Sequence, residues 1–347
     1  MANGIVGIDI GSTSLRAVEV MDAAGSKPSI VRYHEEPLPE GAAASGEVIE
    51  LNTVASAMRS LWTNAGFKSK DVVLGMGNQR VLARDLTVPK ASIKQIREAL
   101  PFQVQDLLLV PVADAILDFY PVSEGESEAG PVVNGLLVAA VKDSVMSNVR
   151  AVELAGLNPV GVDLIPFALT RVHLRGPASR GTIALIDVGS TTTSVVIAAN
   201  GIPQFVRIIP AGGDDISRAL MTRLEVTHPQ AEQIKRALGL SSAGVAPEHR
   251  PAVEAIYEAA SQLLTSLRNT LSYFVNARQQ EGIARIILSG GGSRLHGLDA
   301  ALSEITKLPV STGGGFADVQ VGKSASKDNL GSENMSVALG LALGSKA

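Results

Sequence analysis

Apolar residues form short continuous runs and helical stripes along the first part of the chain, and this pattern predicts an α/β protein. The runs are short and bounded by turn residues, as in buried strands, and lie at residues 6–10, 15–21, 29–33 and 72–76. Residues 53–67 instead place apolar side chains at helical spacing, and Gly66 stands where a helix C-cap belongs. We expect Trp62, on this helical stripe, to belong to the core.

The pattern changes between about residues 84 and 156. Ser92 and Gln95 have the spacing of a capping box for a helix through Leu100, which Pro101 should bend or end. The segments that follow predict strands at 115–122 and 132–141, a solvated acidic loop at 123–128 and a helix at 143–156. This order predicts a small α+β module inserted in a larger domain.

Helical patterns dominate the second half of the chain. Predicted helices cover 214–224, 229–238 and 251–279, and another begins at about 298. A strand at 285–289 runs directly into the glycine-rich segment 290–293. We expect the Ser- and Gly-rich segment 322–334 to be a mobile loop.

One segment occurs twice. An apolar strand runs into Asp-x-Gly-Ser-Thr at Asp9 and again, 178 positions later, at Asp187. Repetition at about half the chain length indicates that one half-domain was built twice, with the two copies facing each other.

Composition and charge narrow the classes of function. The net charge of −4 disfavours nucleic acid as a partner, and the absence of cysteine removes disulfides and thiolate metal sites. The N-terminus enters the first strand without a signal-peptide pattern, which favours the cytoplasm. No window approaches the roughly 20 apolar residues of a membrane span. We therefore expect no direct membrane insertion, and any membrane association to come from a partner.

The repeated turns have the chemistry of phosphate loops. Small residues at 11–14 and 189–192 let backbone N–H groups point at an anion. A carboxylate beside a polyphosphate needs a hard cation between them, so Asp9 and Asp187 are candidates to hold hydrated Mg²⁺. Neither turn matches the P-loop or the dinucleotide fingerprint. The alternative is a pair of ordinary Asp-Gly turns, which the repetition disfavours.

Three further features could contribute to such a site. Arg16 could fork onto phosphate oxygens or be a solvated strand residue. Glu232 and Lys235 share one helical face, where a surface ion pair is the plain alternative. Glycines 290–292 would let a flat base lie against bare backbone with Arg294 stacked over it, although a glycine triplet is also a common flexible turn. The five histidines show no zinc-site spacing.

Together, these motifs resemble the phosphate-1, phosphate-2, ribose and adenosine motifs of the actin, Hsp70 and hexokinase ATPase superfamily. The resemblance implies an α/β actin-like ATPase fold with ribonuclease H-like duplicated lobes and an inserted α+β subdomain in the first lobe. It implies a first-lobe core at 1–83 and 157–180 with a C-terminal helix at 335–347, an insertion at 84–156, and a second lobe at 181–334.

Within the superfamily, the segments 99–102, 111–119 and 161–169 are similar to the PilM family of type IV pilus assembly, with the FtsA division proteins next. The similarity implies ATP and Mg²⁺ as cofactors. It implies as partners the N-terminal cytoplasmic peptide of a PilN-like inner-membrane protein and other inner-membrane and motor components, and it allows a homo-oligomer. The peptide would lie in a groove between the main part of the first lobe and its insertion, near Phe102. The plain alternative for Leu100 and Phe102 is a place in the core. The protein would then lie in the cytoplasm, peripheral to the inner membrane.

The resemblance also assigns residues to the ligands. Asp9 and Asp187 would hold the metal ion. The nucleotide would contact Gly11, Ser12, Thr13, Ser14, Arg16, Gly189, Ser190, Thr191, Gly212, Gly213, Glu232, Lys235, Gly291, Gly292 and Arg294.

Ile165 stands where hydrolysing relatives place a water-orienting Glu or Gln, and Asp163, two residues away, is a weak catalytic candidate with Asp9 and Asp187. We therefore expect at most slow ATP hydrolysis. The alternatives are an FtsA-like filament scaffold, although the basic amphipathic C-terminal helix of FtsA is missing here, and a sugar kinase, for which we find no acceptor-side base.

Overall fold

The computed structural model describes residues 4–25, 27–108, 110–240, 246–278, 282–313, 319–322 and 335–344. The strands are β1 (Ile5–Ile10), β2 (Ser14–Met21), β3 (Ser29–Pro37), β4 (Ala43–Ala44), β5 (Glu47–Val48), β6 (Asp71–Met76), β7 (Val81–Pro89), β8 (Ala115–Ser127), β9 (Gly130–Val141), β10 (Asn158–Leu164), β11 (Thr182–Val188), β12 (Thr193–Ala199), β13 (Ile202–Ile209), β14 (Arg285–Ser289), β15 (Val310–Thr312) and β16 (Gln320–Val321). The helices are α1 (Leu51–Ala65), α2 (Ile93–Gln103), α3 (Lys142–Leu154), α4 (Ile165–His173), α5 (Gly213–Leu224), α6 (His228–Leu238), α7 (Arg250–Ala277), α8 (Leu298–Thr306) and α9 (Ser336–Gly344).

The two large sheets share five strands of the same topology, and the first sheet has β16 as a sixth strand. In the described ranges the first sheet has the strand order β10-β6-β1-β2-β3-β16, and the second has β13-β12-β11-β14-β15. In each, three consecutive strands form an antiparallel meander, and two later strands add in parallel on the side of the first of them. In the first sheet β16 also pairs in parallel with β3, at the other edge. The duplication read from the motif therefore extends to the topology of both halves.

Strand alternation places the two repeated aspartates on equivalent faces. In β1, Val6, Ile8 and Ile10 belong to the core under α1, so Gly7 and Asp9 point to the opposite face. In β11, Ile183 and Leu185 belong to the core shared between the two sheets, and Asp187 continues that face. Both aspartates thus lie on the side of their sheet that faces the other half of the molecule.

Helices α4 and α9 cross in close contact beside the first sheet. A Cβ on Gly7 of β1 would lie 2.0 Å from the Ala338 carbonyl oxygen, and one on Gly340 would lie 2.0 Å from the Ala168 carbonyl oxygen. Glycine is required at both positions because backbone occupies the space of a side chain. The apolar core around α4 contains residues of both sheets, so this crossing joins the two halves.

A third, smaller sheet has the order β7-β9-β8. Helix α2 packs on it through Ile96 and Leu100, which share a separate core with Phe119. Strand β7 begins at Val81, and α3 packs mainly on α1 and the first sheet. The limits of the insertion at 84 and 156 therefore stay a proposal.

Most predicted elements are present, with two differences. The acidic segment predicted as a loop continues β8 as far as Ser127, because β9 pairs with it along its whole length. Pro101 does not end α2, which reaches Gln103. The core position expected of Trp62 is confirmed: the ring packs against the core under α1, is partly buried, and donates from Nε1 to the Ser69 carbonyl. Residues 323–334 of the predicted mobile loop and 345–347 of the predicted last helix lie outside the described residues. Among the helices that are described, none has the length and apolar character needed to cross a membrane.

Candidate functional site

The two repeated turns have the same backbone geometry. The Gly11 N–H donates to the Ser14 carbonyl over 3.0 Å, and the Gly189 N–H donates to the Thr192 carbonyl over 2.9 Å. A Cβ on either glycine would lie 2.9 Å from the oxygen that its own N–H contacts. Each turn is therefore closed by a glycine whose side-chain space is filled by the chain itself.

The two turns meet across a cleft between the halves. The Oγ of Ser12 lies 3.2 Å from the Oγ1 of Thr191. The cleft has a volume of about 650 Å³. Its walls contain all but one of the residues that the sequence assigns to the nucleotide or the metal ion: Asp9, Gly11, Ser12, Thr13, Arg16, Asp187, Gly189, Ser190, Thr191, Gly212, Gly213, Glu232, Lys235, Gly291, Gly292 and Arg294.

Ser14 and Asp163 lie elsewhere. Ser14 is buried behind the first turn, and its Oγ donates to Glu35 Oε1 over 2.6 Å. The Asp163 carboxylate forms an ion pair with Arg171 and accepts from the Leu164 N–H, so it is held away from the cleft. Ile165, at the start of α4, does line the cleft and packs over Gly77.

The first turn places a buried carboxylate beside a cation. Asp9 is 8% exposed, and Arg16 donates from Nη1 to its Oδ2 over 3.3 Å. Burial raises the pKa of Asp9, and the Arg16 charge opposes this effect without cancelling it. A cation near Asp9 would favour its ionised form further.

Glu232 and Lys235 form a network in the cleft wall instead of a surface ion pair. The Lys235 ammonium donates to Glu232 Oε1 over 2.5 Å, to Ser217 Oγ over 2.8 Å and to the Gly213 carbonyl over 2.9 Å. Burial would raise the pKa of Glu232, but the hydrogen bonds from Lys235 and Ser217 outweigh it and lower the pKa. Glu232 is therefore an ionised acceptor at the cleft surface.

The glycine triplet packs on the end of β11, next to the second turn. Gly290 has φ = 81°, and a Cβ on it would lie 2.5 Å from the Val188 carbonyl oxygen. A Cβ on Gly292 would lie 2.3 Å from Val188 Cγ1. These glycines bring the segment that ends in Arg294 against the wall of the cleft.

Several polar residues of the cleft were not predicted from the sequence, among them Glu35, Asp214, His228 and Arg236. His228 Nε2 and Asp214 Oδ1 lie 3.0 Å apart at the beginnings of α6 and α5. Arg236 could have been found from its position four residues after Glu232, which puts both on one helical face. Glu35 required the register of the first hairpin.

The carboxylates fit a magnesium ion that keeps part of its water. The described residues hold no cluster of three or more metal-ligating side chains. Asp9 and Asp187 nevertheless line one cleft, each at the end of an equivalent strand. One or two carboxylates together with ligand phosphates are the usual protein environment of Mg²⁺. The donor set thus suits a cation that arrives with a phosphorylated ligand.

A buried histidine lies behind the glycine triplet, at the end of α4. His173 is 6% exposed, and its Nε2 lies 3.2 Å from the Oγ of Ser289, the last residue of β14. Burial lowers its pKa from the usual 6.5 to about 4. The folded protein therefore keeps this ring neutral in a pH range where an unfolded chain protonates it.

The free energy of unfolding should consequently fall in mild acid. Below about pH 6.5 the histidine binds a proton in the unfolded state but not in the folded state. The loss of stability therefore grows as the pH falls, until the pH reaches the folded-state pKa. We expect His173 to remove about 1 kcal/mol between pH 7 and about pH 5.5. Urea denaturation at several pH values measures the free energy of unfolding as a function of pH. This loss should be present in the wild type and in the variant of an exposed histidine, His249→Gln, and absent from His173→Gln. An equal slope in all three would contradict it.

Comparison with known proteins identifies the family. A model of the family described as type IV pilus assembly protein PilM matches residues 7–346. The chain belongs to this family. The solved structure of a PilM-PilN type IV pilus biogenesis complex is similar, with a TM-score of 0.81 and 27% identity, covering 98% of this chain and 97% of that one. The family resemblance expected from the motifs is confirmed.

More distant relatives confirm the actin-like fold of this PilM-family chain. MreB5 of Spiroplasma citri, solved with bound ADP, has a TM-score of 0.51 at 13% identity and covers 90% of this chain and 92% of its own. FtsA of Bacillus subtilis is 23% identical over 259 residues, 67% of this chain and 58% of that protein. The match to FtsA of Neisseria meningitidis covers 49% of that protein. The chain thus spans about half the length of these two curated relatives.

Proposed function

We propose that this PilM-family chain is a cytoplasmic ATP- and Mg²⁺-binding protein of type IV pilus assembly. It binds the N-terminal cytoplasmic peptide of a PilN-like inner-membrane protein and so links the cytoplasmic machinery to the inner-membrane platform. The nucleotide part of the proposal rests on the 3.2 Å contact between Ser12 and Thr191, which brings both phosphate-type turns onto one cleft. The pilus part is supported by the family match over residues 7–346.

The arrangement of the cleft suggests how the nucleotide lies. The β- and γ-phosphates would contact the two turns and Arg16, and Mg²⁺ held through Asp9 and Asp187 would offset their charge. The ribose hydroxyls would bond to Glu232 and Lys235. The base would lie over the glycine triplet, near the Arg294 guanidinium.

ATP in this site would act as a structural ligand and conformational switch. A hydrolytic site needs a group that orients the attacking water, and the position at the start of α4 holds the apolar Ile165, which lines the cleft. The nearest carboxylate along the chain, Asp163, is paired with Arg171. We therefore propose slow turnover.

Calorimetry tests the nucleotide part directly. Titration of the full chain with ATP and magnesium should give saturable heat for one site, and chromatography afterwards should recover ATP unchanged. An absence of heat would refute nucleotide binding. Turnover at the roughly 1 to 1,000 per second of ordinary enzymes would refute the structural role.

The third sheet offers a docking surface for the partner. Phe102 is 80% exposed at the end of α2. Aromatic side chains are enriched among the residues that carry protein–protein binding. The similar structure contains PilM together with PilN. We propose that the surface around Phe102 receives the PilN-like peptide, and that the protein also binds other inner-membrane and motor components of the pilus.

Replacing Phe102 by serine should remove the partner and leave the fold intact. A synthetic PilN-like N-terminal peptide should bind the wild type with roughly micromolar affinity, and Phe102→Ser should weaken this at least about tenfold. Tyr257→Ser is the matched control, since Tyr257 is an aromatic residue 53% exposed on α7. Fluorescence anisotropy measures both. Equal affinity of the two variants would exclude Phe102 from the peptide site.

A filament-forming scaffold is the second candidate. The observation in its favour is similarity to Pseudomonas aeruginosa FtsA, 23% identical over 89% of this chain and 82% of that protein. Electron microscopy with ATP separates the candidates, because a scaffold should form filaments and a pilus adaptor should remain a small particle.

A further inference from the structure

Three charged residues form a row across the strands that carry the first turn. Asp9 on β1 is the direct cross-strand partner of Arg16 on β2, and Arg16 is the direct partner of Glu35 on β3. Residues directly opposite each other in adjacent strands project on the same face. The row therefore has a cationic side chain between two carboxylates, and all three residues line the cleft.

The two carboxylates hold different parts of the Arg16 side chain. Glu35 Oε1 accepts from Arg16 Nε over 3.0 Å, whereas Asp9 Oδ2 accepts from Nη1 over 3.3 Å. Glu35 Oε1 is itself fixed by the Ser14 hydroxyl at 2.6 Å. A guanidinium has five N–H groups, so these two bonds leave capacity for an anion.

The Nη1 end of the guanidinium lies against the first turn. A Cβ on Gly11 would be 3.3 Å from Arg16 Nη1. The hydrogen bond from Nε to Glu35 thus fixes one end of the planar group. The Nη atoms at the other end can contact either Asp9 or a ligand bound at the first turn. A planar, pre-oriented guanidinium loses little freedom when it binds a phosphate.

We infer that Glu35 is a positioning residue that keeps Arg16 from closing onto Asp9, so that Asp9 can accept a hydrated Mg²⁺ while Arg16 contacts the nucleotide phosphates. This inference rests on the proposed nucleotide function. Without the carboxylate of Glu35, the guanidinium has one anionic partner in the row and should form a full ion pair with Asp9. Asp9 would then be withdrawn from the metal ion, and Arg16 from the phosphates.

The ratio of ATP affinity with magnesium to that without it measures this effect. Calorimetry on the full chain should show that Glu35→Ala lowers this ratio about tenfold relative to the wild type. A merely structural defect would weaken both affinities equally and leave the ratio unchanged. In an Arg16→Ala background, Glu35→Ala should have no further effect on the ratio, because the competing cation is gone.

Neighbouring Glu36 provides the matched control. It is on the same strand and accepts from Asn64 Nδ2 over 2.9 Å, so Glu36→Ala should keep the wild-type ratio. If Glu35→Ala does not fold, Glu35→Gln decides, because it keeps an acceptor and loses only the charge. The inference would be overturned, with ATP binding by the wild type unaffected, if the Glu35 variants kept the wild-type ratio. It would also be overturned if Glu35→Ala lowered the ratio as much in the Arg16→Ala background as in the wild type. An absence of ATP binding by the wild type would refute the proposed function and this inference with it.

Discussion

Gly340→Ala is expected to lower the free energy of unfolding by about 3 kcal/mol, although alanine is the better helix former. In an exposed helix the same change would stabilise by up to about 1 kcal/mol. Here the new Cβ would lie 2.0 Å from the Ala168 carbonyl oxygen and 2.4 Å from its carbon. Both contacts are with backbone, so no side chain can rotate away, and α4 and α9 must separate. Urea denaturation of the purified variant measures the change.

Gly161→Ala is the control for this prediction. Gly161 lies in β10, and a Cβ there would make only an ordinary contact, 3.9 Å from Val73 Cγ2. Its stability should stay within about 0.5 kcal/mol of the wild type. Since α4 and its surroundings join the cores of both sheets, Gly340→Ala should also weaken nucleotide binding. A Gly340→Ala protein as stable as Gly161→Ala would show that the helix crossing is not under this constraint.

The repeated motif made the centre of the cleft predictable. A strand followed by Asp-x-Gly-Ser-Thr indicates a turn of small residues, and repetition implies two related halves. Strand alternation then places Asp9 and Asp187 on equivalent faces. Strand alternation and the repeat can both be recognised in the sequence without knowledge of tertiary contacts.

Glu35 was not predictable in the same way, because its position depends on an irregularity in the hairpin. The register of β2 and β3 shifts between Glu19 and Val20. Counting back from the pair Met21 and Ser29 without this shift would pair Arg16 with His34. The bulge makes Glu35 the partner of Arg16, and the local sequence does not predict a bulge.

Tertiary contacts also decided elements with ambiguous local signals. The acidic segment ending at Ser127 has the composition of a loop, but it pairs with the strand from Gly130 and extends the hairpin. Likewise, the sequence made Asp163 a catalytic candidate but did not predict where its side chain points. The Arg171 guanidinium, two helical turns along, determines where that carboxylate lies.

Lys235→Ala is expected to reduce the affinity for ATP with magnesium about 100-fold, the largest loss we expect from one side chain of the ribose region. The Lys235 ammonium donates to Glu232, Ser217 and the Gly213 carbonyl, and its side chain is 14% exposed. Removing a charged donor from three partly buried acceptors costs about 2 to 3 kcal/mol. The part of the cleft wall that we expect to bond to the ribose would lose the hydrogen bonds that fix Glu232 and Ser217, and also the positive charge beside Glu232.

The residual binding of Lys235→Ala should depend on pH in a way that the wild type does not share. In the wild type, hydrogen bonds from Lys235 and Ser217 overcome burial and lower the pKa of Glu232. Without the ammonium, burial prevails and the pKa rises, so Glu232 should begin to lose its charge at a higher pH as acid is added. Calorimetry between about pH 5 and pH 8 measures both effects. Lys94→Ala, at a side chain 85% exposed on α2, should behave as the wild type. If Lys235→Ala matched Lys94→Ala in affinity, the nucleotide would have to lie elsewhere in the cleft.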